Sequence, residues 1–433
     1  MRRRGLASLV GASLQDLFDQ RTAFGRLALV HVVMMAGDTL VTVSLAGSLF
    51  FSVSPTEAKT KVLAYLLLTI APFAVVSPIL GPLIDHSVNG RRVLVSLSAF
   101  VRVLLCWSMS QHLGSYWLFP EAFAVLVSSK FYGVTRGALV PEMARTDQFR
   151  EHASAVGRSG WPTSEVTQHR GFAGFNAQLT LLGTLSGLFA GVLGATLLKT
   201  LGAPSVLVSA AVVFLVATTL AMRLQRPTDA VRDEASMTPK ERDVNVLVPL
   251  GVREVTWGLS ASAMMRFGVG FSSFLLAFGL RREHAGLQWF AFALAASAVG
   301  SLLGLGIVTR LRNALAESAL LALALIGTGI GAGLASQHPT PIAQTVLASG
   351  LGMCAAVAQP SFDAITQRLV PSGAQGRTFA RFAVRQQLAW VVGALIPVAV
   401  NLPFGAGDRL LAVAMLAGGV FYWLGRSRSH QGI

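Results

Sequence analysis

The chain has 433 residues, 53% of them hydrophobic and only 13% charged, with a formal net charge of +15 and a mean hydropathy of +0.60. A soluble domain carries about 25% charged residues, so this composition excludes an ordinary soluble enzyme and points to a polytopic membrane protein. The cations sit mainly at the ends of apolar runs, which argues against a nucleic-acid surface and against a nucleic-acid partner.

The N-terminus is basic (Arg2, Arg3, Arg4), and Leu9–Phe18 reads as a short amphipathic piece on the membrane surface rather than a signal peptide. A spanning helix needs roughly 20 mostly apolar residues. Twelve segments meet that length: 27–52, 62–84, 93–112, 117–139, 172–198, 204–223, 255–280, 286–308, 317–336, 341–363, 379–400 and 407–424. The fourth and tenth carry charge. The expected fold is therefore all-α and integral to the membrane, with 12 transmembrane helices in two pseudo-symmetric six-helix bundles, 27–223 and 255–424. An N-terminal segment (1–26), a polar linker (224–254) and a tail (425–433) flank them, and 140–171 is a further long polar connection.

Orientation follows from the Lys and Arg residues. With the N-terminus in the cytoplasm, the inner side collects the great majority, and the outer side receives only Lys59, Lys61, Lys199, Arg281, Arg282 and Arg409. Both termini, the linker and the tail are expected to be cytoplasmic, in a cell membrane crossed many times. The two cysteines, Cys106 and Cys354, fall inside apolar segments and give neither a disulfide framework nor metal-ligand spacing.

The halves echo each other. Leu139-Val140-Pro141 ends the fourth segment and Leu369-Val370-Pro371 follows the tenth, with Phe149 and Phe379 at equal distances beyond each proline. The turn after the second segment, SPILGPLIDHSVNGRRVL over Ser77–Leu94, has a weaker echo in Gly300, Gly304, Gly306, Arg310 and Arg312. Such internal repetition is what a duplicated transporter shows. In that turn Gly81 precedes Asp85 by one helical turn, and Gly90-Arg91-Arg92 opens the next segment. A carboxylate and two guanidiniums there can latch two helices by charge-assisted hydrogen bonds; a plain polar loop is the alternative.

Together these features resemble the major facilitator superfamily. Its signature between helices two and three is a Gly, an Asp four residues later, a basic residue and a Gly-Arg-Arg group, matched here by Gly81, Asp85, Gly90, Arg91 and Arg92. His86 stands at the basic position, and the turn is two residues longer than usual. Leu139–Glu142 is similar to the branch of siderophore, multidrug and lysophospholipid exporters. The Gly-rich fifth helix (Gly183, Gly187, Gly191, Gly194) resembles that of drug antiporters but lacks their proline. The alternative reading is that these glycines simply pack the two halves together.

Charges inside a bilayer cost about 2.5–3.5 kcal/mol each and mark functional sites by default. The resemblance implies that helices one, four, seven and ten line a central cavity. Asp38 falls on the first, Glu121, Lys130 and Arg136 on the fourth, Arg266 on the seventh and Asp363 on the tenth. Asp38 is the first candidate for proton coupling, facing Lys130 or Arg136, with His31 two turns earlier on the same face. A static ion pair is the alternative, and His31 reads also as an interfacial histidine. Lys130, Arg266, Met34 and Met265 are candidates to line the substrate cavity. Arg266 is suited to a carboxylate or phosphate, though it also suits pairing with an acid. Asp363 is expected to pair with Arg385 or Arg381, and Arg136 with Glu142, at a cytoplasmic gate. Arg102, beside Cys106 on helix three, reads as structural. Gln178, Gln386 and Gln387 add uncharged hydrogen-bonding groups.

The expected function is secondary active transport by alternating access: proton-coupled export of a small anionic or zwitterionic amphiphile by a monomer. A lipid or lysophospholipid flippase of the same fold is the alternative. A membrane enzyme is less favoured: the polar connections hold His152, His169, Glu151 and Glu165 but no nucleophile elbow, P-loop or zinc spacing. No catalytic residue, cofactor or metal is expected.

Overall fold

A computed structural model describes residues 22–45, 90–113, 115–159, 172–224, 253–283, 287–311, 314–370, 374–400 and 402–430. They form eleven α-helices: α1 (Ala23–Leu45), α2 (Gly90–Gln111), α3 (Leu118–Ser159), α4 (Phe172–Leu201), α5 (Ala203–Met222), α6 (Arg253–Arg282), α7 (Leu287–Leu311), α8 (Glu317–Ala335), α9 (Pro341–Leu369), α10 (Gln375–Val400) and α11 (Phe404–His430). Nine of them are long and apolar enough to cross a membrane. α3 carries more charge, and the apolar part of α7 is the shorter Phe292–Val308. The expected second span, 62–84, lies outside the described residues.

At 1.5 Å per residue the 23 residues of α1 reach about 35 Å, enough for a hydrocarbon core of about 30 Å. Local sequence sets several boundaries. Gly202 adopts φ +82°, a left-handed turn that lets α4 reverse into α5, where Pro204 sits in the first turn. Thr340 caps α9: its Oγ1 accepts from the Ala343 N–H at 3.2 Å, with Pro341 following.

The chain divides into two compact units. The first holds α1–α5; the second holds α6–α9, α10 from Arg381, and α11. Each repeats one packing scheme. In the first, α1 lies against α4 and α5, and α2 against α5 and α3; in the second, α6 lies against α11 and α8 against α11 and α9. α6 also meets α10, where a Cβ on Gly270 would strike the Trp390 carbonyl and one on Gly393 the Phe267 carbonyl. Among the described helices, the five of the first unit pair in the same order as α6, α8, α9, α10 and α11 of the second. In the second unit α7 packs closely on α9: Gly300, Gly304 and Gly352 let the backbones approach at Ser349, Met353 and Ser297.

The core of the first unit centres on Leu27, Met34, Tyr132 and Phe214, all fully buried. The Phe214 ring lies where a side chain on residue 37 would be, so Gly37 is required there. Large apolar side chains such as Trp107, Phe189, Val192, Leu334 and Val413 stand exposed on the outside, while Arg102 is buried. This inverts the soluble pattern, as a lipid solvent demands.

Two expectations change. The connection 140–171 is not all loop, because α3 continues through Pro141 to Ser159. Past the proline the chain is rich in good helix formers, and Glu142 is anchored by an ion pair. The second copy of the Leu-Val-Pro triplet behaves differently: Val370, before Pro371, turns extended and ends α9, the usual effect of a following proline.

Candidate functional site

Asp38, on α1, is gripped from two neighbouring helices. Its Oδ1 accepts from Arg102 of α2 at 3.0 Å and its Oδ2 from Ser129 of α3 at 3.0 Å. The Arg102 side chain is 0% exposed and the Asp38 side chain 20%. Arg102 also donates to the Ser128 carbonyl at 2.6 Å, touches Met34 Sδ, and lies over the rings of Phe214 and Tyr132. A buried guanidinium is thus balanced by a carboxylate with one side open. Of the two expected partners, Lys130 is near enough to act on Asp38 electrostatically while Arg136 reaches His31; Arg102, read from sequence as structural, makes the ion pair. Lys130 is half-buried, next to the serine that donates to Asp38.

His31 is buried, not interfacial. Its Nε2 meets Arg136 at 3.0 Å and its Nδ1 meets the Tyr132 hydroxyl at 3.1 Å. A guanidinium can only donate, so Nε2 accepts, and His31 is a neutral imidazole whose Nδ1–H donates to Tyr132. Gly183 of α4 makes room: a Cβ there would lie 2.7 Å from Nε2. Gly187 and Gly191 face Thr39, and Gly194 faces Leu40. The glycine run therefore packs α4 on α1 within one unit; the sequence reading had placed it between the halves.

At the start of α2, Arg91 donates to Glu142 at 3.1 Å and to the Ala138 carbonyl at 3.4 Å, with both charged side chains buried. Glu142 thus does not take Arg136. Six residues apart on one helix, those two point about 120° apart. Gly90 begins α2 and Arg92 is half-buried behind it; Gly81 and Asp85 lie outside the described residues. Glu121 accepts from Ser108 at 2.5 Å and meets His112 at 3.4 Å.

In the second unit Arg266 is exposed midway along α6 and donates to Gln359 Oε1 at 3.3 Å; Gln359 Nε2 donates to Asp363 at 2.9 Å. The amide relays one charge to the other. Asp363 is reached by its own helix neighbour Gln359 and by the charge of Arg266, and Arg385 is exposed. Gln386 donates to Ser262 at 2.7 Å. Met34 and Met265 are buried in the cores of their units and line no open surface here. Among the described residues no cluster of His, Cys, Asp and Glu suits a metal ion. Sequence reasoning missed Tyr132, Ser129 and Gln359. It had one usable signal, Arg102, since a lone charge inside an apolar segment needs a counter-ion.

The family model described as "Major Facilitator Superfamily" matches residues 27–394. The chain belongs to this superfamily. An uncharacterized protein of Mycobacterium leprae (strain TN) is 28% identical over 425 residues, covering 89% of this chain and 68% of the relative. An uncharacterized protein of Mycobacterium tuberculosis (strain ATCC 25618 / H37Rv) is 36% identical over 176 residues, 39% of this chain and 28% of the relative. Among solved structures, the human organic anion transporter MFSD10 superposes with TM-score 0.64 at 15% identity, over 92% of this chain and 99% of its own. A bacterial homologue of the iron transporter ferroportin, in the outward-facing state, gives 0.64 at 16%, over 93% and 98%. The proton:xylose symporter XylE gives 0.65 at 14%, over 92% and 95%. These superpositions show the fold. The chain is a multi-pass membrane protein of the major facilitator class, a secondary transporter.

Proposed function

We propose that this superfamily member exports a small anionic or zwitterionic amphiphile in exchange for protons across the cell membrane. One observation supports the coupling: the Asp38 carboxylate is open on one side and bonded to two other helices on its other sides. A proton taken up there weakens the bonds to Arg102 and Ser129, so occupancy changes how α1 is held by α2 and α3. A ligand drives a conformational change only through such a differential interaction. The exposed Arg266 guanidinium, steadied by Gln359 and Asp363, is the anion contact, since a planar fork matches carboxylate or phosphate. The human neighbour is an organic anion transporter, and the likeness of fold makes anions the first probes.

The working unit is a monomer with both termini cytoplasmic, alternating access between the halves 27–223 and 255–424. The test is reconstitution into vesicles with an imposed pH gradient and labelled anionic, zwitterionic and cationic amphiphiles. The expected result is gradient-driven movement of the first two classes. Asp38→Asn, which keeps an acceptor for Arg102, should fold and bind substrate yet lose the response to the gradient. Undiminished pH-driven transport by Asp38→Asn, or transport of cationic probes alone, overturns the reading.

A further inference from the structure

In the second unit one neutral side chain stands between two opposite charges. Arg266, midway along α6, is exposed, while Gln359 and Asp363, one turn apart on a single face of α9, are half-buried. Arg266 donates to Gln359 Oε1 at 3.3 Å, and Gln359 Nε2 donates to Asp363 Oδ1 at 2.9 Å. The chemistry on both sides fixes the orientation of the amide. A guanidinium only donates and a carboxylate accepts, so the oxygen of Gln359 faces the cation and its NH2 faces the anion. Helix packing holds the three groups in register: Phe362 and Ile365 of α9 lie against Gly258 of α6, about two turns before Arg266.

A primary amide is a neutral copy of a zwitterion, with partial negative charge on its oxygen and partial positive charge on its NH2. Here it lies oxygen to cation and nitrogen to anion, the polarity in which a true zwitterion makes the same two contacts with full charges. Hydrogen bonds between ionised groups are roughly twice as strong as neutral ones, so a ligand carrying both charges competes with the Gln359 bridge. An anion alone satisfies Arg266 but lies near the like charge of Asp363. On the reading of Arg266 as the anion contact, on which this rests, we infer that the three residues form a zwitterion site. An anionic oxygen of the substrate takes the Arg266 fork, its ammonium takes Asp363, and Gln359 is the internal bridge that it displaces. The site also limits the spacing of the two charges. Two hydrogen bonds and the width of one amide put the Arg266 nitrogen and the Asp363 oxygen less than about 9 Å apart. Charge-assisted bonds of about 2.8 Å at each end leave about 3 Å between the ligand's own oxygen and nitrogen. An ammonium and a carboxylate on one carbon have that spacing. The head group is then an α-amino acid rather than two charges at opposite ends of a chain, and a quaternary amine, lacking N–H, makes no hydrogen bond to Asp363.

The test is equilibrium binding to the full-length protein in lipid nanodiscs, corrected for uptake by protein-free discs. The probes are dodecanoic acid, 2-aminododecanoic acid and 12-aminododecanoic acid. The 2-amino acid is expected to bind about tenfold or more tightly than either of the others, the gain from one further charge-assisted hydrogen bond. Asp363→Asn should bring it down to the level of dodecanoic acid. Gln359→Ala, which removes the competing bridge, should bind it at least as tightly as wild type does. A 2-amino acid bound no more tightly than its 12-amino isomer overturns the inference, and so does a preference that survives in Asp363→Asn. The isomer comparison needs only wild-type protein, so it decides even where a variant fails to fold. If dodecanoic acid matches the 2-amino acid and both weaken in Arg266→Lys, the zwitterion site falls while the anion contact stands. If Arg266→Lys leaves all three affinities unchanged, the anion contact falls with it.

Discussion

Arg102 and Asp38 meet at 3.0 Å with the guanidinium wholly buried and the carboxylate partly open. Removing one member of such a pair leaves a charge stranded, at a cost of about 3–5 kcal/mol. Arg102→Ala should therefore lower the unfolding temperature sharply. Combining it with Asp38→Asn should recover part of the loss, since no unpaired charge remains. Scanning fluorimetry of the purified variants reads both, and additive losses would contradict the pairing.

Arg91 and Glu142 form the second buried pair, bringing the start of α2 against α3. Arg91→Ala should destabilise by about 3–5 kcal/mol, because it removes the counter-charge of a carboxylate in a closed site. Glu142→Gln retains an acceptor and should cost less. Equal losses for the two would count against this account.

Glycines in the helix contacts separate cleanly by what surrounds them. A side chain at Gly183 would press on His31 and Met35, so Gly183→Val should cost about 1–3 kcal/mol. Gly304→Ala meets the Met353 carbonyl and should also destabilise. Gly350, inside α9 with nothing near the added methyl, should gain about 0.5–1 kcal/mol as Ala. Melting temperatures of the three variants check the ordering.

Arg266→Lys keeps the charge and loses the planar fork and the fixed bond to Gln359. A charge-assisted hydrogen bond contributes about 1.5–3 kcal/mol, so affinity for an anionic substrate should fall about 10- to 100-fold while the fold is kept. Equilibrium binding to the purified variant measures it; unchanged affinity would move the anion contact elsewhere.

Much of the helical layout was legible because lipid leaves the backbone so few choices. Glu317–Ala335 and Ala203–Met222 fall within a residue or two of the apolar segments read from the chain. The buried charges were legible as a set, but their pairing was not. Asp38 and Arg102 sit 64 positions apart on different helices, and only the packing of α1, α2 and α3 decides which cation the carboxylate meets. Gln359 escaped notice for a different reason. It is uncharged, and an amide within an apolar segment gives no signal until the packing of α6 and α9 sets it between Arg266 and Asp363.

The length of α3 has a mechanical consequence. Its 42 residues reach about 63 Å, and it holds α1 at widely separated points. Ser129 bonds Asp38, Tyr132 and Arg136 bond His31, and the Asp147 carboxylate accepts from the Ala23 and Phe24 N–H groups at the opposite tip. A rod clamped to its neighbour along some 27 Å cannot slide past it without breaking every clamp at once. α1 and α3 must then travel together as one stiff plate, leaving Pro141, between the inner clamps and the tip, as the place where that plate can bend.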